Sequence, residues 1–220
     1  MRGVNEQQQA ALTWQFAPRP LGWPPLFWLE LSMLNRWHCA ALLLVIALLL
    51  LQWPQASQWL AYQRGAIFHG QWWRLLTGPM LHTNSIHLLL NAAGLLLCLG
   101  FRPDGEANGR IWRELLLLTL TSSLLLLWWY PKVSWFVGLS GPLHGLLLMS
   151  LWAGRHESPR IHLLAALLLA AKLAYEQLMG ASALSASLIN AKVLIEAHLC
   201  GAVAALLLIV ADSLRRQFQR

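Results

Sequence analysis

Residues 135–145 read Trp135-Phe136-Val137-Gly138-Leu139-Ser140-Gly141-Pro142-Leu143-His144-Gly145, and an apolar run follows them to Gly154, just before Arg155. The stretch from Ser140 to Gly154 is apolar enough to lie in a bilayer. It is too short to cross one, because a hydrocarbon core of about 30 Å needs roughly 20 residues of helix. A helix that begins at Ser140 therefore begins inside the membrane, and Trp135 to Leu139 must descend to it as non-helical backbone. Such backbone is tolerated at depth only where it is buried in protein or lines a water-filled cavity. A cavity that ends on Ser140 is what hydrolysis within a membrane requires.

The rest of the chain supplies the membrane domain around this segment. Of its 220 residues 57% are hydrophobic and 11% charged, where a soluble domain carries about a quarter charged residues. Six apolar segments approach spanning length, at about 38–53, 85–101, 112–130, 140–154, 161–179 and 190–211. The expected fold is an all-α polytopic bundle of six transmembrane helices. It divides into an N-terminal segment (1–36), a six-helix domain (37–213) and a basic tail (214–220). A net charge of +7 would suggest nucleic acid in a soluble protein. Here the basic residues fix topology instead. With both termini cytoplasmic, eleven arginines fall inside, from Arg2, Arg19 and Arg36 to Arg215, Arg216 and Arg220. Arg64 and Lys132 fall outside, with Arg74, Lys172 and Lys192 at or within helices on that side. The bias follows the positive-inside rule.

Residues 1–13 are polar and do not form a signal peptide, so the first helix is expected to direct insertion itself. Arg19 to Trp37 reads either as a strip lying in the membrane interface or as a cytoplasmic tail. Trp53 to Asn84 is rich in aromatics (Trp53, Trp59, Tyr62, Phe68, Trp72, Trp73), which fits a loop embedded at the outer interface. Cys39, Cys98 and Cys200 all lie in apolar segments and read as small buried hydrophobes, not as a disulfide framework or metal site.

Strongly polar groups inside spans cost free energy and mark function. His87 and Asn91 in the second span, Ser140 and His144 in the fourth, and His198 in the sixth are such groups. Their depth follows from counting to the charged inner end of each helix. His87 to Arg102 and Ser140 to Arg155 are each 15 positions, and His198 to Asp212 is 14. At a rise of 1.5 Å per residue, all three side chains lie roughly 21–23 Å above the inner boundary. One level thus holds a serine and two histidines from three separate segments.

Local chemistry adds to this. Gly138 and Gly141 permit a sharp turn into the helix and close approach by a substrate backbone. The helix start leaves unpaired N–H groups and partial positive charge beside Ser140, suited to a developing oxyanion. Gly141 and Gly145 form a small-xxx-small face, and Gly201 and Ala205 repeat that spacing on the last helix. Gly201 lies three after His198, so close packing there brings the histidine within reach of the serine. Ordinary helix packing would use the same glycines.

In these residues the chain resembles the rhomboid family of intramembrane proteases. The resemblance rests on Trp73-Arg74, on His82-x4-His87-x3-Asn91, on Gly138-x-Ser140-Gly141 and on Ala197-His198-x-x-Gly201, and it spans about residues 71–212. Within the family it is most similar to the rhombosortase subgroup, through the run Gly138 to Gly145 and the compact six-helix body. Typical rhomboids carry a tyrosine at the position of His144, stacked beneath the catalytic histidine. The resemblance implies a serine endopeptidase of the bacterial inner membrane, its site opening to the periplasmic side. Its substrates would be membrane-anchored proteins cut near a Gly-Gly motif in a C-terminal tripartite tail. It implies no cofactor, no metal and no nucleic-acid partner.

The expected roles follow. Ser140 is the nucleophile and His198 its base. No Asp or Glu is expected at their depth, so the pair should act as a dyad; Glu196 points about 160° away around its helix. His87 and Asn91 share a face and, as the resemblance implies, complete the oxyanion hole with the Ser140 N–H. His144 either packs against His198 or is a buried histidine satisfied by a backbone carbonyl. Gly138, Gly141 and Gly201 support the site, while His82 and Arg74 hold the outer loop. His69, His156 and His162 read as ordinary surface histidines. A histidine base must be neutral, and an imidazole's ordinary pKa is about 6.5. Activity is expected to fall as pH drops through the low-six region or below, and full activity at pH 4 in folded protein would contradict His198 as the base. Three other readings compete: a catalytically dead relative that binds membrane helices, a metal or haem protein using His82, His87, His144 and His198, and a transporter with a broken fourth helix. A metal gives no reason for Gly138-x-Ser140-Gly141, and a transporter none for the matched serine and histidine.

Overall fold

The computed structural model describes residues 40, 42–51, 53–103, 106 and 108–219. The N-terminal segment 1–36 and Cys39 lie outside the described residues. The first apolar helix, α1, is Leu42–Leu51. The loop after it carries α2 (Ala56–Leu60), β1 (Tyr62–Gln63), α3 (Arg64–Phe68), α4 (Arg74–Thr77) and a 3₁₀ turn (Gly78–Met80). The remaining elements are α5 (Ser85–Gly100), α6 (Asn108–Trp129), β2 (Trp135–Phe136), α7 (Ser140–Gly154), α8 (Pro159–Met179), α9 (Ala183–Ile189) and α10 (Ile195–Phe218).

Helices stand at all six expected places, but not all have spanning length. Among the described residues α6, α8 and α10, of 22, 21 and 24 residues, are long and apolar enough to cross a membrane. A fourth span results if Arg74–Met80 and Ser85–Gly100, bent by 100° at their junction, count as one. The 15 residues of α7 rise about 22 Å. The last span also departs from the expected 190–211. Asn190 adopts a left-handed conformation, φ 51°, after the separate short helix α9, and α10 begins only at Ile195. Asparagine is one of the few residues that visits this region readily, so it can end a helix much as glycine does. At its other end α10 runs on through Phe218, so the boundary drawn at 213 falls inside it.

The short helix α7 is the axis of the bundle. Gly141, Pro142, Leu143, Gly145, Leu146, Met149, Ser150, Leu151 and Gly154 are all buried. Leu95 and Leu99 of α5, Leu115 and Leu118 of α6, and Ala204 and Ala205 of α10 pack around Leu143 and Leu146. The outward faces stay apolar, with Leu89, Leu163, Leu164, Leu167 and Leu168 all exposed. Lipid gives such helices no hydrophobic reason to associate, so close van der Waals packing must hold them together.

The segment 53–84 is folded, not a solvated linker. Arg74 is buried and donates to the carbonyls of Ala61 (2.7 Å) and Gln58 (2.6 Å) and to Gln71 Oε1 (2.7 Å). Three loop acceptors are thereby fixed to one planar cation, a geometry that suits arginine. Tyr62 pairs with Phe136 and Gln63 with Trp135 in a two-stranded antiparallel ladder. The fully buried Tyr62 ring lies 4.8 Å from that of Phe136. This ladder anchors the non-helical backbone two residues before Gly138. Trp59, Trp72 and Phe68 remain exposed on the loop surface.

Candidate active site

Gly138 sets the entry to the site. Its φ is +118°, a region costly for any residue with a Cβ. A Cβ there would also meet His87 Cε1 at 2.6 Å and Nε2 at 2.7 Å. Glycine therefore serves twice, to make the turn and to admit the imidazole. The chain then turns at Leu139, and Ser140 opens α7 at the end where N–H groups lack intrahelical acceptors.

The small-residue face between α7 and α10 sets the distance to the base. A Cβ on Gly141 would lie 2.7 Å from the carbonyl oxygen of Ala197, and one on Gly201 would overlap the carbonyl oxygen of Gly141. The two backbones thus touch directly beside the site. His198, buried in the first turn of α10, places Nε2 3.0 Å from Ser140 Oγ. His144 stacks on His198 with centroids 4.1 Å apart and planes inclined by 16°. Its Nδ1 lies 2.6 Å from the Ser140 carbonyl oxygen and its Nε2 2.8 Å from Lys172 Nζ. Both readings of His144 therefore apply, since it packs on His198 and bonds a backbone carbonyl.

The absence of a carboxylate at this depth is corrected. Glu176 on α8 is buried, and its Oε2 lies 2.9 Å from His198 Nδ1. Its Oε1 accepts from Lys172 Nζ at 2.7 Å, one helical turn away. Counting would have found it. Arg160 to Glu176 is 16 positions, about 24 Å at 1.5 Å per residue, the level of the other three groups. The fifth helix runs the opposite way, so the count starts at its N-terminal charged end.

The other expected residues divide. His87 is buried, with Nδ1 3.1 Å from Thr83 Oγ1, and it lines a cavity of about 140 Å³ together with Ser140, Gly138, Ala197, Lys192 and Thr83. Such a volume has room for several waters. Asn91 is not on that cavity. It lines a separate apolar one of about 610 Å³, and its Nδ2 donates to the His87 carbonyl at 3.1 Å. His82 lies edge-on to His87 at 5.1 Å and lines the same apolar cavity. Arg74 stays in the loop described above. Thr83 Oγ1 donates to the Ile189 carbonyl (2.6 Å) and Asn84 Nδ2 to that of Leu188 (3.1 Å), so α9 is tied over the start of α5. His162 is not a surface residue. It is buried against Gly154 and Phe101, with Nδ1 2.9 Å from the Ser158 carbonyl. His69 and His156 are exposed.

His144, Glu176 and His198 bring potential ligand atoms within 4.8 Å of one another. An imidazole binds a metal in its ring plane at about 2.0–2.1 Å. Two rings stacked with planes only 16° apart cannot both contain one ion. The ammonium of Lys172 also occupies the edge between His144 and Glu176. This trio does not fit a metal.

Among curated proteins none matches the chain. The family model described as Rhomboid domain matches residues 69–215, about two thirds of the chain. That match runs from the loop held by Arg74 through the last helix, and the chain accordingly belongs to the rhomboid family, integral membrane serine proteases that act on membrane-embedded protein substrates.

Proposed function

We propose that the chain is an active serine endopeptidase in which Ser140 attacks and His198 is the base. The observation that carries this is the 3.0 Å contact between Ser140 Oγ and His198 Nε2, made by a helix that begins beside a cavity lined by His87, Thr83 and Lys192. Ser140 Oγ attacks a peptide carbonyl carbon while its proton passes to His198 Nε2. The oxyanion forms against the N–H groups at the start of α7 and the His87 ring. Collapse breaks the C–N bond, and the leaving amine takes the proton from His198. An ester remains on Ser140. Water then attacks it, giving its proton to His198. The bond from the acyl carbon to Oγ breaks, Oγ takes that proton back from His198, and the carboxyl product leaves. Asn91 enters only through the family resemblance, because its amide serves the His87 carbonyl.

The reading extends to substrate and setting. The run Gly138 to Gly145 with His144 supports the rhombosortase subgroup, and with it cleavage at a Gly-Gly-containing C-terminal tripartite tail of secreted bacterial proteins. The chain would cross the inner membrane six times with both termini cytoplasmic, and the cavity beside Ser140 would open to the periplasm. A reporter ending in such a tail, co-expressed with the wild type or with Ser140→Ala and weighed by mass spectrometry, tests this. Loss of the tail only with intact Ser140 is expected, and a C-terminal adduct would reveal transfer to another amine. Cleavage of unrelated membrane helices instead would leave a general rhomboid protease, and no cleavage of either a non-catalytic helix-binding relative.

A further inference from the structure

The proton positions around His198 follow from which neighbours can only donate and which can only accept. Lys172 Nζ, 2.8 Å from His144 Nε2, has no lone pair to offer, so that nitrogen accepts. His144 then carries its proton on Nδ1 and donates it to the Ser140 carbonyl at 2.6 Å. The same ammonium donates to Glu176 Oε1 at 2.7 Å. The other carboxylate oxygen faces His198 Nδ1 at 2.9 Å and, as a carboxylate, only accepts. His198 therefore carries its proton on Nδ1 and presents a bare Nε2 to the Ser140 hydroxyl at 3.0 Å. That is the tautomer a base needs.

From this geometry we infer that Glu176 is a positioning residue that holds His198 in its base-competent tautomer, and that Lys172 dictates which way Glu176 faces. The site is then a serine–histidine–glutamate triad anchored by a lysine, not the dyad expected from the sequence. The inference rests on the Ser140–His198 reading above and adds the third member. Glu176 touches no substrate atom in this scheme. It fixes the ring's rotation, and its negative charge favours the imidazolium formed during attack, the role of the carboxylate in serine protease triads. Burying a carboxylate in a bundle is costly, and the bonds from Lys172 and His198 to its two oxygens offset that cost. The ammonium lies four residues before it on the same helix face, 46% exposed.

The arrangement makes an unusual demand of an isosteric variant. In Glu176→Gln the ammonium of Lys172 claims the amide oxygen and leaves the NH₂ aimed at His198 Nδ1. The ring must then accept there and protonate Nε2, which can no longer receive a proton from Ser140. A merely structural glutamate would tolerate this change. The expected result for purified protein cleaving a tail reporter is a kcat about 10²–10⁴ lower, with KM and unfolding midpoint near the wild type. In Lys172→Met/Glu176→Gln the amide is free to turn its oxygen to His198, and kcat should recover at least tenfold over Glu176→Gln. Independently of any variant's folding, ¹⁵N spectra of the wild type at neutral pH should show His198 protonated on Nδ1, the signal being assigned by its loss in His198→Gln. A kcat for Glu176→Gln within threefold of wild type, no recovery in the double variant, or His198 protonated on Nε2 overturns the inference. If Ser140→Ala and His198→Ala are dead while Glu176→Gln is fully active, only the role of Glu176 falls. If Ser140→Ala itself cleaves, the protease reading falls with it.

Discussion

Two charged clusters lie in this bundle, one just past the end of α5 at Arg102 and one beside the start of α7 at Ser140, and they are wired in opposite ways. At the end that carries Arg102, the ion pairs among the described residues join arginine to glutamate within the cluster. Glu106 meets Arg102 at 3.1 Å and Arg110 at 3.3 Å, and Glu114 meets Arg110 at 2.9 Å and pairs with Arg102 as well. At the end that carries Ser140, the Lys172–Glu176 pair passes through His198 and leaves the cluster at a hydroxyl. A closed cluster, which pairs charge with charge, contributes position. An open one delivers polarity to an atom that can react. The difference lies in connectivity, because both clusters pair lysine or arginine with glutamate.

Cutting the open end is expected to have the largest effect. Ser140→Ala or His198→Ala should each lower kcat by about 10⁴ or more, with an unchanged unfolding midpoint, since members of one catalytic unit are lost as a unit. Combining the two should cost little beyond either alone. Rates measured on detergent-purified protein check this, and additive losses would mean that the two residues do not act on one proton. The closed end should behave in the opposite way. Glu114→Ala removes one of the two carboxylates paired with buried Arg102, and breaking a buried pair typically costs about 3–5 kcal/mol. Denaturant unfolding should show that loss, while kcat per folded molecule stays within about twofold. A fall in kcat without a fall in stability would show that the two ends are coupled.

The contrast also explains what the sequence could and could not disclose. Depth was legible for His87, Ser140 and His198 because helical rise is fixed and arginine or aspartate marks an end of each helix. Glu176 obeyed the same rule but sits on α8, where Lys172 and Glu176 interrupt a mostly apolar run. One Lys–Glu pair on an otherwise apolar helix does not say which side looks inward. The close approach of Gly141, Gly145 and Gly201 was readable from spacing, and the structure seats all three against neighbouring backbone. The displacement of Asn91 from the cavity was not, because two residues four apart share a face without sharing a pocket. Nor was α9, since Ala183 to Ile189 is as apolar as a span and is parted from α10 only by residues 190–194, with Asn190 in the left-handed region.

Between the two ends, the glycine contact tests whether the open cluster depends on its distances. Gly201→Ala places a methyl group against the carbonyl of Gly141, and overpacking of this kind costs about 1–3 kcal/mol. The helices must separate to relieve it, carrying His198 away from Ser140. Activity should therefore fall more steeply than stability, by roughly a hundredfold, because misplacement of about 1 Å can cost that much. Ala205 already carries a methyl group on this small-residue face, so Ala205→Gly should leave the rate nearly unchanged. Equal losses in the two variants would place the sensitivity in general packing instead of in the serine–histidine distance.

The smallest effect is expected at His144, where the comparison repeats within the open cluster. Lys172 reaches Ser140 by two routes. One passes through Glu176 and His198 to the hydroxyl, and the other through His144 to the backbone carbonyl. The second route ends on an acceptor that takes no part in proton transfer, so it is closed in the same sense as the arginine cluster. His144→Phe keeps an aromatic face beneath His198 and removes the bond to the carbonyl. The net value of one such bond is about 0.5–1.5 kcal/mol, which corresponds to a loss in kcat of about tenfold at most. His144→Ala should lose more, because it also removes the stack that backs His198 at 4.1 Å. If instead the phenylalanine variant is as dead as Ser140→Ala, both routes carry the reaction, and His144 belongs with the proton-handling residues and not with the scaffold.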